Sequence, residues 1–427
     1  MKKRLLKIIC FFKKDSLSVF FVKLSLLLGL IGVLALLAME VWSDVLMTAF
    51  GVLLSSVVVY IFKIIIGRFE DMLKINYDTD ALLKIYEKKM DDGRNGYEKH
   101  IELTDKTTKK FAYDDVLVVC DPSLPFKAED HPEKMYELDQ FVTENYEHIF
   151  AAHSGSAKGN YDTVRMDDFD PVTNTFYLSR STYFNHLVTN RAVDYELFEG
   201  ISLRHMYEFG PRLNPLSQSK MSNHIGINAL VFLSDGRLLI PQRKADSTIS
   251  KNKVTSSIAV MLTVPKEYEN EPKKAVITTE YLLRDNIIKN LSDRVKLLGK
   301  DIDESQTDVR FLGFGRNIYE GGKPQMYFAV KLNDINTQRY FELREDYFAE
   351  QKRLGKTEFL DVDKHMYVVD WESLSFKKDG LSFVTHHMRG EKKYERKRLA
   401  GYEMSYLCNL WHYKEAKLSF EVDNKKV

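Results

Sequence analysis

The sequence contains few cysteines and almost no net charge. The 427 residues include three cysteines, Cys10, Cys120 and Cys408, which lie far apart and form no CxxC pair. This excludes a disulfide framework, a zinc-knuckle spacing and a redox pair. The 62 Lys and Arg nearly balance the 61 Asp and Glu, for a net charge of +1. A protein that coats nucleic acid is therefore not expected, and any anionic partner must bind locally.

Long apolar runs are present, but only near the N-terminus. They cover residues 16–39 and 45–66, and each is long enough to cross about 30 Å of hydrocarbon as a helix. A secretory signal peptide is the rival interpretation of the first run, but its apolar core is too long and lacks a small-x-small cleavage site. Cations precede the first run and follow the second, whereas residues 40–44 carry two acids and no cation. The sequence therefore predicts a transmembrane hairpin with both termini in the cytoplasm.

Small residues recur at four-residue spacing within both runs. The pairs are Ser25 with Gly29 and Gly51 with Ser55. Such pairs let helix backbones approach closely, so we expect these positions to form transmembrane packing contacts. The same pairs would serve a hairpin that packs only on itself or spans that oligomerise.

Five segments follow from these patterns. Residues 97–220 mix strand-like and helical stretches, including a predicted helix over residues 130–149, and a second charged helix is predicted from residue 391 through residue 411. The predicted segments are a basic N-terminus (1–15), the hairpin (16–67), a helical stalk and linker (68–96), the N-terminal part of a cytosolic head (97–220), and a second part with a C-terminal extension (221–427).

The clearest local signal is a pair of β-hairpins in the last of these segments. Apolar runs over residues 223–233 and 237–243 flank Ser234-Asp235-Gly236, a strong hairpin turn. A second strand pair is predicted over residues 309–315 and 325–332. A helix is predicted between the two pairs, over residues 273–291.

That order of strands and helix resembles the Nudix fold over about residues 221–375. The resemblance implies a membrane-anchored α+β protein in which a two-helix transmembrane hairpin precedes a cytosolic Nudix-like α/β/α sandwich with a mixed sheet. Nudix hydrolases carry G-x5-E-x7-R-E-U-x-E-E-x-G-U, where U is a bulky apolar residue and the glutamates bind Mg²⁺. Placing Glu271 and Glu280 on the first two glutamates puts other residues at the remaining positions: Pro265, Thr279, Leu283, Arg284 and Asn286.

This departure from the Nudix motif bears on catalysis. Magnesium needs oxygen ligands, which Leu283 and Arg284 do not offer. If the alignment is right, we expect no hydrolysis, no catalytic residue, no bound metal and no cofactor. The alternative is a membrane-tethered, Mg²⁺-dependent Nudix hydrolase of a nucleoside diphosphate derivative.

A second resemblance lies just before the Nudix-like part. Residues 178–190 contain Thr182-Tyr183-Phe184 and Thr189-Asn190, and they are followed by Ser202-Leu203-Arg204, by residues 215–217 and by residues 222–228. With two N-terminal spans, the chain is similar to the transmembrane-Nudix effectors of bacterial CBASS antiphage systems, which carry a CD-NTase-associated Nudix-like domain. The resemblance implies an inner-membrane protein whose head senses a cyclic oligonucleotide made by a CD-NTase. Its membrane part would then oligomerise and disrupt the inner membrane, causing abortive infection.

The partners implied are a cyclic oligonucleotide, the lipid bilayer and further copies of the chain on activation, but no direct nucleic acid. A receptor for such a ligand needs a few cations beside aromatic rings. The candidate ligand-binding residues are Arg180, Tyr183, Arg204, Gln242, Arg243, Arg284 and Tyr327. Core tyrosines and solvated arginines are the alternative interpretation. A Nudix-like adaptor that binds a protein partner is a third hypothesis.

Overall fold

The computed structural model of the chain describes its middle part in most detail. β1 (Ile101–Glu102) and β2 (Lys110–Phe111) form a short antiparallel pair. The described residues are 51, 55, 82, 85, 101–102, 110–111, 127–153, 159–170, 172–198, 200–210, 213–243, 253–268, 271, 274–355, 366–377, 380–388 and 390–398.

A three-stranded sheet opens the continuous part of the structure. It contains β3 (Lys127–Met135), β4 (Asp162–Asp170) and β5 (Thr175–Thr182), with β5 in the centre, parallel to β3 and antiparallel to β4. Two short helices, α1 (Gln140–Glu144) and α2 (Tyr146–His153), lie between β3 and β4 in the chain.

The predicted helix over residues 130–149 is wrong in its first part. Residues 130–135 belong to β3, which pairs with β5 some 45 to 50 residues later in the chain. Pro132 lies within β3, and a proline in a helix interior removes a hydrogen bond and clashes with the preceding turn. Pairing with a distant strand therefore prevails over the local helical pattern.

Four small elements connect this sheet to the next. Thr182 caps the first of them, since its hydroxyl accepts from the Asn185 N–H at 3.2 Å. They are α3 (Tyr183–Val188), β6 (Glu196–Phe198), β7 (Ile201–Ser202) and α4 (Leu203–Tyr207).

A mixed nine-stranded sheet forms the larger part of the fold. β8 and β12 are parallel, and the other paired strands are antiparallel. The strand order is β11-β12-β8-β9-β13-β15-β14, with β10 also paired to β8 and β16 to β15. The strands are β8 (Gly226–Leu233), β9 (Leu238–Pro241), β10 (Ile258–Met261), β11 (Thr307–Asn317), β12 (Lys323–Leu332), β13 (Met366–Val369), β14 (Ser375–Lys377), β15 (Gly380–His386) and β16 (Lys392–Arg398).

Both predicted hairpins are confirmed. β8 and β9 are joined through the Asp235-Gly236 turn, where Gly236 has a φ of +80° that favours glycine. β11 and β12 pair along their whole lengths. The helix predicted from residue 391 is wrong where the structure describes it, because residues 392–398 form β16 and pair with β15.

Two longer helices complete the fold. α5 starts with a π-helical turn, Tyr281–Asp285, and continues as an α-helix over Asn286–Val295, and α6 spans Thr337–Arg353. α5 starts later than the predicted residue 273 because the preceding segment is fixed on β3. The backbone N–H groups of Val276 and Ile277 both donate to Asp130 Oδ2, each at 2.9 Å.

The two main sheets share one core. Val164, Met166 and Phe176 of the smaller sheet belong to the same buried apolar cluster as Ile227 and Phe328 of the larger one. Backbone hydrogen bonds also join the sheets, since the Ile225 N–H donates to the Val164 carbonyl at 3.0 Å. The predicted segments 97–220 and 221–427 therefore meet in a common core. The fold is α+β with mixed sheets.

The predicted fold class and inner-membrane localisation need correction at the transmembrane hairpin. Within the part of the chain that the structure describes, no helix has both the length and the apolar character needed to cross a membrane. The predicted spans, with Ser25 and Gly29, lie outside the described residues except for Gly51 and Ser55. These two are helical, and the Ser55 hydroxyl donates to the Gly51 carbonyl at 2.7 Å.

The buried pair of Asp130 and Arg180 gives a test of this packing. We predict that Asp130→Ala lowers the free energy of unfolding by about 3–5 kcal/mol, because it leaves a buried guanidinium without its carboxylate. The two side chains are only 5% and 3% exposed. Urea unfolding of the full chain measures the change. Glu350→Ala, which removes a surface ion pair with Arg353, is the control and should leave the midpoint unchanged. Equal midpoints for both variants would contradict the prediction.

Candidate functional site

A cavity of about 760 Å³ lies where the two sheets, α3 and α5 meet. Its wall contains residues that precede β4, one face of α3, parts of β8 and β10, one face of α5 and the first residues of β12. The volume is within the range of about 300–1,000 Å³ that is usual for pockets that bind small molecules. The cavity is therefore the candidate ligand site.

Two tyrosines form an aromatic wall. The Tyr161 and Tyr183 rings are stacked, with centroids 5.0 Å apart and planes 6° from parallel. Hydrogen bonds join the segment before β4 to the first residues of α3. The Tyr183 N–H donates to the Tyr161 carbonyl at 3.0 Å, and the Phe184 N–H donates to Asn160 Oδ1 at 3.0 Å. Tyr161 remains 40% exposed. It therefore presents an aromatic surface at the cavity rim.

The Tyr161 phenol is neutral at physiological pH. Partial burial and the neighbouring Tyr183 raise its pKa to about 12, although the Arg294 guanidinium acts in the opposite direction. A neutral phenol stacks on a planar ring and does not repel an anionic ligand. The aromatic wall is thus suited to a flat, electron-poor or heteroaromatic group.

Four charged or titratable side chains gather at the buried end of the cavity. We call them the Glu320 cluster: His186, Arg191, Glu320 and Lys323. The Glu320 carboxylate lies 3.7 Å from His186 Nε2, 3.9 Å from an Arg191 guanidinium nitrogen and 3.5 Å from Lys323 Nζ. All four side chains are at most 13% exposed, so their interactions are little screened by solvent.

The histidine of this cluster is neutral near pH 7. Burial lowers the pKa of His186 well below its usual value, and the charges of His224, Lys323, Arg191 and His153 act in the same direction. Burial likewise lowers the pKa of His224, whose ring centroid is 3.7 Å from that of His186. Burial also lowers the pKa of Lys323, but Glu320 opposes that shift. His186 Nδ1 has no hydrogen-bond partner among the described residues.

Further cations line the more open part of the cavity. Lys266 and Arg294 are exposed, and Arg243 is partly buried. Arg294 lies four residues after Asn290 on α5, and this spacing puts both side chains on the same face of the helix. Among the described lining residues the carboxylates are Asp162 and Glu320, so the cavity has an excess of positive charge.

An amide pair lies across two parallel strands of the cavity wall. Asn228 Nδ2 of β8 donates to Gln325 Oε1 of β12 at 2.7 Å. Gln325 is in register with Gly226, and a Cβ at position 226 would clash with the Gln325 amide. Glycine at this position therefore leaves room for the amide pair, which offers hydrogen bonds to a polar ligand.

The structure brings two of the seven predicted ligand-binding residues to the cavity. Tyr183 and Arg243 line it. The ligand roles of the other five stay predictions, and their positions suggest other tasks. Gln242 Oε1 accepts from the Tyr367 hydroxyl at 2.7 Å, Arg284 donates to the Glu304 carbonyl at 3.0 Å, and Tyr327 is fully buried in β12.

Arg180 and Arg204 both form buried bidentate ion pairs. The Arg180 guanidinium lies 2.5 and 2.8 Å from the Asp130 carboxylate oxygens. Arg204 donates to Asp194 at 2.6 and 2.9 Å and to the Ile318 carbonyl at 2.7 Å. Arg204 therefore fixes the turn that precedes Glu320, and it supports the cavity without lining it.

Thr189 and Asn190, two residues of the motif that precedes β8, have a structural role beside the cavity. Asn190 Nδ2 donates to the Glu320 carbonyl at 2.8 Å, and Asn190 Oδ1 accepts from the Asn223 N–H at 2.9 Å. The Thr189 hydroxyl accepts from the Ser222 N–H at 3.2 Å. These bonds join the α3 end to the β11–β12 turn and to the start of β8. They hold the Glu320 cluster in place.

Sequence reasoning missed most of the cavity. His186 lies three residues after Tyr183, a helical spacing inside a motif that the sequence did single out. That spacing could have identified it. Tyr161 follows a Ser/Gly-rich stretch and Lys323 follows a Gly-Gly turn, and neither carries a local signal. The sequence singled out Arg284 on α5, but the arginine of that helix that lines the cavity is Arg294, ten residues later.

The Nudix metal site does not assemble from the described residues. Glu271 and Glu280 have side chains that are 53% and 70% exposed, and neither lines the cavity. In the described ranges, no group of three or more His, Cys, Asp and Glu side chains is placed to hold a metal ion. The described residues therefore do not fit the diphosphate-bound Mg²⁺ cluster of Nudix hydrolases.

No protein-family model and no curated protein matches this chain. The assignment of the cavity as a ligand site therefore depends on its volume, its lining residues and its charge.

The two buried histidines make the stability pH-dependent. Their pKa values are below the value of about 6.5 that an unfolded chain has, so on acidification the unfolded state takes up protons that the folded state does not. We predict that the free energy of unfolding falls as the pH drops through about 6.5, by up to about 1.4 kcal/mol per pH unit for each histidine.

Urea unfolding between pH 7.5 and pH 5.5 measures this slope. His224→Gln should make it shallower, because it removes one of the two buried imidazoles. A stability that is constant over this range would show that the buried pair is not neutral in the folded state.

Proposed function

We propose that the chain is a receptor that binds a cyclic oligonucleotide in this cavity, the sensing role that its resemblance to CBASS effectors implies. The observation that supports it is a stacked tyrosine pair and a buried cationic cluster in the wall of one cavity. Stacking on aromatic rings and pairing of phosphates with Arg and Lys are the two interactions by which proteins hold flexible nucleotides.

The arrangement of the cavity suits a compact nucleotide better than a long nucleic acid. Its cations are gathered around one cavity, whereas a groove for a strand needs cations along an extended path. The net charge of +1 also offers no broad basic surface. A small cyclic ligand presents bases and phosphates within a short distance, which matches this compact site.

Binding without turnover is part of the proposal. α5 contributes Asn290 and Arg294 to the cavity, and neither side chain is a carboxylate. An arginine meets a phosphate directly through its guanidinium, where a hydrolase would use a metal ion as a bridge. Self-association of the liganded chains, the output that the resemblance implies, is proposed to follow binding and is measurable by light scattering.

A ligand panel tests the proposal. The full chain is incubated with cyclic di- and trinucleotides in the presence of Mg²⁺, and thermal unfolding is followed together with chromatography of the nucleotide. A raised melting temperature with the nucleotide recovered intact supports the receptor. Cleavage of a nucleotide would favour the hydrolase, and the absence of any shift would favour the adaptor that binds a protein partner.

Tyr161→Ala should weaken binding of the cyclic ligand found in that panel. Loss of one base-stacking surface costs about 1–3 kcal/mol, which is about a 5- to 150-fold rise in Kd. Tyr394→Ala is the matched control, since Tyr394 is 60% exposed on β16 and does not line the cavity. Isothermal titration calorimetry on the full chain gives both values. Equal affinities for the two variants would show that Tyr161 does not contact the ligand.

A further inference from the structure

The buried end of the cavity already contains an anion of the protein itself. Glu320 is 1% exposed and lies within 4 Å of both cations of its cluster. Its position is fixed, because Asn317 Nδ2 donates to Glu320 Oε2 at 3.1 Å and Asn190 holds its carbonyl. A ligand anion that enters this space must therefore share Arg191 and Lys323 with a resident carboxylate.

The charge of the Glu320 cluster limits which anion it accepts. Burial lowers the pKa of Lys323, but the adjacent Glu320 carboxylate favours its charged form. With Arg191 and Lys323 positive, Glu320 negative and His186 neutral near pH 7, the four side chains sum to +1. A phosphodiester carries one negative charge. A terminal phosphate carries about 1.5 to 2 negative charges at pH 7. Only the phosphodiester brings the buried space to neutrality.

We infer that the Glu320 cluster is a phosphodiester subsite: Arg191 and Lys323 hold a singly charged phosphodiester there, and Glu320 disfavours a doubly charged phosphomonoester. The inference deepens the proposed function, on which it rests, since it assigns one part of the ligand to one end of the cavity. The base then lies nearer the rim, where Tyr161 is exposed.

A preference for phosphodiesters over phosphomonoesters would let a receptor distinguish an intact cyclic nucleotide from its hydrolysis product. Hydrolysis of one bond in a cyclic nucleotide converts a phosphodiester into a phosphomonoester and adds negative charge. Free mononucleotides such as AMP and ATP also end in phosphates of higher charge. A resident carboxylate at a buried position raises the free energy of such ligands more than that of an intact diester, because like charges within about 4–6 Å repel each other.

Two mononucleotides test the inference directly. 3′,5′-Cyclic AMP contains one phosphodiester, and 5′-AMP has the same base and sugar with one phosphomonoester. Ligand-observed NMR on the full chain at pH 7.5 measures the Kd of each. We expect cyclic AMP to bind at least about tenfold more tightly than AMP, the effect of one like charge at short range.

Glu320→Gln separates charge from shape. It removes the resident negative charge and keeps an oxygen that accepts from Asn317, so the preference for cyclic AMP should shrink at least about threefold or reverse. A preference based only on the shape of the cyclic phosphate would be unchanged. Glu350→Gln on α6, away from the cavity, is the control and should leave the ratio of Kd values as in the wild type.

The outcomes distinguish the inference from the proposed function. Equal binding of the two mononucleotides by the wild type, or no binding of cyclic AMP, overturns the phosphodiester subsite and needs no variant to fold. The receptor function would still stand if a cyclic di- or trinucleotide stabilises the chain. No stabilisation by any cyclic oligonucleotide would overturn the receptor function, whereas a diester preference that depends on Glu320 would still support the subsite.

Discussion

The buried carboxylate of Glu320 is the group around which the candidate site is organised. His186, Arg191 and Lys323 lie within 4 Å of it, and each comes from a different element. Burial of a charge is costly unless partners surround it, so this carboxylate and its cations hold one another in place. Arg204 and Asn190 fix the turn that carries Glu320 by donating hydrogen bonds to its backbone carbonyls. The geometry of the cavity thus depends on a compact network of buried charges and amides.

The same network explains how the short motifs before β8 shape the cavity although only some of their residues line it. Thr189 and Asn190 make hydrogen bonds to Ser222, Asn223 and the Glu320 carbonyl. They join the smaller sheet and α3 to the β11–β12 turn, so that Tyr183 and Lys323 face one space. A motif of this kind positions a site, and the ligand contacts are supplied by residues around it.

How much could be predicted from the sequence depended on how local the causes were. The Asp235-Gly236 turn and the β11–β12 pair follow from turn chemistry and alternating apolar runs, and both were predicted. Pro132 disfavours a helix over residues 130–135, but the pairing with β5 that makes them a strand has no local signal. The cavity is harder still, since Tyr161, Arg191 and Arg294 come together only after the sheets have packed. Tyr183 and Arg243 were found because an aromatic motif and a strand end gave signals of their own.

The most direct test of the account is a crystal structure of the full chain with the cyclic oligonucleotide that stabilises it most. We expect a base stacked on Tyr161 and a phosphodiester oxygen within hydrogen-bonding distance of Lys323 and Arg191. A ligand bound elsewhere, such as the second cavity beside α5 that Tyr268 and Tyr281 line, would contradict it.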